Sequence, residues 1–91
     1  MDVPESLADL RRQYDAARKA IEAHHRATKT PALEWSEEQR AESAALQAKW
    51  VQVAAEFRAA IEESGLEADH SSYELGRDIR KAAYGDDYAG E

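Results

Sequence analysis

Along the first third of the chain, Val3, Leu7, Leu10, Tyr14, Ala17, Ile21 and His24 alternate spacings of three and four. Such steps keep the residues on one side of an α-helix and form a heptad seam. Pro4 suits the first helical turn, where its missing N–H would have no partner. Pro31 ends or redirects the helix, because the residue before a proline avoids the helical region. A first helix is therefore predicted over about 4–27. On its outer side, Asp15 with Lys19 and Glu22 with Arg26 are acid-before-base pairs one turn apart.

Ser36 with Gln39 has the spacing of a capping box, and Thr30-Pro31 is a competing earlier start. The second helix is predicted over 36–64. Gly65 fits the left-handed position after the helix end, which brings Leu66 back onto Ile61. Ser71 with Glu74 repeats the capping-box spacing, Leu75, Ile79, Ala82 and Ala83 form a narrow apolar side, and Gly85 supplies a stop. This third helix is predicted over 71–84. The fold class expected is all-α: an antiparallel two-helix coiled-coil hairpin plus a short third C-terminal helix, in one domain over 1–85. Residues 86–91 are expected to be a frayed acidic tail.

The second helix has two apolar faces. Leu46, Trp50, Val53, Phe57, Ala60 and Ile61 share one side, matching the seam of helix one. Opposite them lie Ala41, Ala44, Ala48, Val51, Ala55 and Ala59. Alanine is the best helix former and can fill a surface cheaply. Val51 has no such excuse, since a β-branched residue has no propensity reason to sit on an exposed helix face. Ala44, Ala48, Val51 and Ala55 are thus a candidate packing surface for the third helix or for a second copy of the chain. Helix one repeats the pattern with Ala16, Ala20, Ala23 and Ala27.

Composition narrows the partners. Ninety-one residues make one thin-cored domain, and with no cysteine neither disulfides nor thiolate-bound metal can staple it. The net charge of −7 disfavours nucleic acid and anionic lipid as partners. No apolar run approaches a membrane span, and the N-terminus lacks a signal-peptide pattern, so a cytoplasmic location is expected. Most of the acidity lies beyond residue 28, the first 28 residues carrying five acids and five bases.

Chemistry-bearing constellations are sparse. His24 and His25 belong to the hairpin's loop end, His70 lies beyond the far end, and no metal site is expected from them. The two loop-end histidines would instead favourably cap the carboxyl end of helix one when protonated. Adjacent acids such as Glu62-Glu63 point to different sides and make no carboxylate dyad. The sequence holds no phosphate loop and no catalytic motif, so neither an enzyme nor a cofactor is expected. Tyr73, Arg77, Arg80 and Tyr84 form a stripe opposite the apolar side of helix three. Tyrosine and arginine are favoured at interface centres, so this is a second candidate contact surface, suited to an acidic partner. Trp35, at the loop, is expected to close the hairpin end or stack on Arg40.

Two resemblances give alternatives. Trp35-Ser36-Glu37 between two helices resembles the turn of the WXG100 family of secreted helical hairpins, which chain length and turn position also match. Glu37 stands where that family has glycine, and no C-terminal Tyr-x-x-x-Asp/Glu follows, Tyr73 leading to Arg77 and Tyr84 to Tyr88. Leu10-Arg11, Arg26, Lys29 and Gly65-Leu66 before a short third helix resemble the all-helical chorismate mutases. That resemblance implies arginine and lysine converging on a dicarboxylate. A proline-containing loop falls where that family continues its helix, and no residue role is carried over from either family. The leading expectation is a non-enzymatic protein-interaction module, partnered by protein and self-associating as a homodimer into a helical bundle.

Overall fold

The computed structural model describes residues 2–85, folded as three helices: α1 (Glu5–Thr28), α2 (Glu37–Ser64) and α3 (Ser72–Tyr84). Short 3-10 turns follow α1 and α2 at Ala32–Glu34 and Leu66–Ala68. The tail expected over 86–91 lies outside the described residues.

Local chemistry sets the helix ends where the sequence places them, within a residue. The carbonyl of Pro4 accepts from the amides of Leu7 and Ala8 and starts α1. Lys29 leaves α1 in the left-handed region at φ 53°. Ser36 Oγ accepts from the Gln39 amide at 3.1 Å while Gln39 Oε1 accepts from the Ser36 amide at 2.8 Å. Ser71 and Glu74 repeat this exchange at 3.1 and 3.2 Å. The bonds to Ser71 hold the Glu74 carboxyl below its ordinary pKa, because they favour the charged acceptor. Gly65, at φ 72°, turns the chain out of α2 in a backbone region that glycine enters without steric cost.

α1 and α2 pack side by side as an antiparallel hairpin. Every residue of the α1 seam, from Val3 to His24, is buried or half-buried. The α2 seam runs through Leu46, Trp50, Val53, Phe57, Ala60 and Ile61, and continues towards the loop through Ser43 and Gln39. Polar residues finish the seam there because the loop end has little apolar bulk to offer. Ser43 is buried and accepts a hydrogen bond from Gln47 at 3.1 Å.

α3 decides where the core is dense. Leu75 and Ile79 close on Leu7, with Val3, Phe57, Ala60, Ile61 and Leu66 packed around them. Leu7, Ile79 and Val53 are the largest side chains fully removed from solvent. Burying a side chain of this size stabilises by about 1.5–3 kcal/mol. α3 runs parallel to α1: its start meets Leu7, and its end meets Arg12 and Asp15. At 1.5 Å per residue the 13-residue α3 is about 20 Å long and the 28-residue α2 about 42 Å. α3 therefore covers less than half of the hairpin, at the end away from the loop.

Asp15 departs from its expected pairing. It does not reach forward to Lys19. It binds Arg11 Nε at 3.0 Å and accepts a hydrogen bond from the Tyr84 hydroxyl, because α3 lies on that side of α1.

Truncating Ile79 to alanine is expected to lower the unfolding free energy by about 2–4 kcal/mol, whereas Val51→Ala should change it by less than about 0.5 kcal/mol. Urea titration followed by circular dichroism measures both. Similar losses for the two variants would contradict the placement of α3.

Candidate functional site

The small face of α2 is bare. Ala41, Ala44, Ala48, Val51, Ala55 and Ala59 are all exposed, Val51 to 61 %. α3 sits on the hairpin's flank near the large-residue seam, so it does not cover this face. The candidate surface of Ala44, Ala48, Val51 and Ala55 thus faces solvent within one chain.

The stripe on α3 is divided. Tyr73 is 74 % exposed. Arg77 is half-buried, and its Nε donates to Asp78 Oδ1 at 3.1 Å. This contact raises the Arg77 pKa and lowers that of Asp78, since each charge favours the other. Arg80 is half-buried. Tyr84 gives its hydroxyl to Asp15. Both arginines are thus half-buried and Tyr84 bonds to α1, leaving Tyr73 as the most open of the four.

The end of α3 carries an anchor that the sequence does not advertise. Arg12 Nε donates to the carbonyl of Ala83 at 2.9 Å, and a second guanidinium nitrogen donates to Ala82 at 3.4 Å. The last carbonyls of a helix have no partner within it, so Arg12 satisfies two of them from a neighbouring helix. Glu5 steadies the same guanidinium at 3.0 Å. No spacing rule links residues 12 and 83, so only the docked fold makes this visible.

At the loop end, Trp35 is buried and closes the hairpin. Its indole N–H donates to Thr30 O at 2.9 Å. Its ring meets the edges of His24 and His25, each with centroids 5.2 Å away. Arg40, the other partner considered for Trp35, donates instead to Leu33 O at 3.0 Å. His24 does not face solvent as a cap. It is 8 % exposed, neither ring nitrogen has a hydrogen-bond partner, and Nε2 lies 3.8 Å from Glu42 Oε2. Beside it runs an open groove of about 540 Å³ lined by Ala20, Ala23, Ala27 and Leu46, with Thr28, Gln39 and Glu42 at its polar edge. The seam periodicity places His24 inward, but it says nothing of the groove.

A smaller cavity of about 150 Å³ lies between α2 and α3, with Arg11 and Arg58 at its rim. Both cations have carboxylate partners: Asp15 for Arg11, and Glu62 and Glu67 for Arg58. Arg58 Nε lies 3.3 Å from Glu62, which gives this acid a cationic partner near the carboxyl end of α2. Arg11 and Arg26 stand fifteen residues apart on one helix, about 22 Å, so they do not converge. Among the described residues, no three histidine, aspartate or glutamate side chains are grouped to hold a metal ion.

Replacing Arg12 with leucine should cost about 1 kcal/mol and speed amide exchange in α3 about fivefold, leaving α2 protected. Equal deprotection of all three helices would count against the anchor. Replacing His24 with leucine should raise stability by about 1 kcal/mol in urea titration, because it removes buried nitrogens without partners. A loss of stability would mean that the imidazole has a partner in solution. A comparison with known families, curated proteins and solved structures finds no match to this chain.

Proposed function

We propose that this chain is a non-enzymatic protein-interaction module that self-associates into a helical bundle. One observation carries the reading: α3 covers less than half of the hairpin, leaving apolar helix surface on two sides of the rest. One side is the bare back of α2 around Val51, and the other is the alanine-lined groove beside His24. A chain of 91 residues has a thin core, and a second copy is the most economical way to enlarge it. The net charge of −7 argues for a protein partner over nucleic acid. Among the described residues no helix is long and apolar enough to cross a membrane. A cytosolic location is part of this proposal.

Sedimentation velocity tests it. The chain should shift from its monomer mass of 10.2 kDa towards twice that value as concentration rises to about 200 micromolar. A single monomeric species across that range would remove the proposal.

A further inference from the structure

In the hairpin, His24 Nε2 lies 3.8 Å from Glu42, and an antiparallel register counted from that contact sets Ala20 level with Leu46 and Ala27 level with Gln39, all of which line the same groove. Successive residues on a helix turn by about 100°. On the flank away from α3, α1 therefore presents Ala16, Ala20, Ala23 and Ala27, and α2 presents Glu42, Ala45 and Lys49. Glu42, Ala45 and Lys49 are exposed. The flank is thus apolar along its α1 half and charged at both ends of its α2 half, with the buried His24, whose ring nitrogens have no hydrogen-bond partner, between the halves.

The alanine spacing reads the same in both directions. A second copy turned about a two-fold axis between Ala20 and Ala23 sets Ala20 against Ala23 of the second copy, and Ala16 against Ala27. The level of α2 that crosses this axis is Ala44–Ala45. The same rotation consequently brings Glu42 of each copy within about 3 Å, measured along the helix, of Lys49 of the other, a gap that the long lysine side chain spans. One axis satisfies both halves of the flank. A two-fold axis parallel to the helices would instead lay the alanines over Glu42 and Lys49, desolvating charge against apolar surface. α3 lies on the far flank and is not in the way.

We infer that two copies of this chain pair through the loop halves of their hairpins, flank to flank and antiparallel, with Glu42 of each against Lys49 of the other. The inference rests on the self-association proposed above and names its surface. Small side chains let the two α1 helices approach closely. The Lys49 ammonium arrives as a hydrogen-bond donor beside Glu42 and the neighbouring His24 ring. A flank about 20 Å long and 20 Å wide buries about 400 Å² on each copy, below the roughly 800 Å² usual for a stable complex, so association in the micromolar range is expected.

Charge exchange in the full chain provides the test, read by sedimentation with circular dichroism as the check on folding. Glu42→Lys and Lys49→Glu should each weaken dimerisation at least about tenfold, because like charges then meet at both contacts. An equimolar mixture of the two variants should dimerise again, since every contact then pairs opposite charges. The double variant should also recover. Val51→Glu should leave the dimer intact. A mixture that associates no better than either variant alone overturns the inference. If Val51→Glu separates a wild-type dimer that the charge variants leave whole, the back of α2 is the interface: this inference falls and self-association stands. A wild-type chain that never dimerises removes both.

Discussion

Two antiparallel helices share a single strip of contact, and a strip one residue wide cannot dry itself. Water reaches it from both flanks unless something roofs each side. In this molecule α3 roofs one flank at one end, where Leu75 and Ile79 drive into the gap beside Leu7. The distribution of packing follows from that choice. The end under α3 holds the densely packed aliphatic side chains. The loop end is finished with smaller or polar groups, Ala17, Ser43 and His24, and with the Trp35 ring as a plug.

Much of this architecture is written locally. Two capping boxes, a proline start and a left-handed glycine each act within four or five residues, so spacing alone exposes them. The seam is equally legible because every third or fourth position repeats the same demand. The position of α3 is not. Its apolar side, Leu75 and Ile79, states that it must pack without stating on what. Its register is set by Arg12 on the carbonyls of Ala82 and Ala83 and by Asp15 on Tyr84, bonds across about seventy residues. Asp15 shows the cost of purely local reading: spacing offers it Lys19, and the tertiary fold gives it Arg11 and Tyr84. The tyrosine–arginine stripe meets the same limit, since both arginines are half-buried and Tyr84 bonds to Asp15 once α3 docks.

The candidate surfaces differ in the same way. The back of α2 can be listed from periodicity, and the structure adds only that it is bare. The groove beside His24 cannot be listed so, because it needs the relative level of α1 and α2 and the absence of α3 from that flank. Its charges acquire meaning together. Glu42 and Lys49 are two turns apart on one helix, an arrangement that becomes self-complementary only when a partner helix runs the opposite way.

The short connection between α2 and α3 has a kinetic consequence. Residues 65–71 keep α3 within roughly 25 Å of its groove even when it has let go. Tethering at that range corresponds to an effective concentration of about millimolar, so rebinding outpaces escape. A release of α3 would therefore be short-lived. Such a release would uncover the strip formed by Leu7, Phe57 and Ile61, and the tether's length would govern how long that exposure lasted.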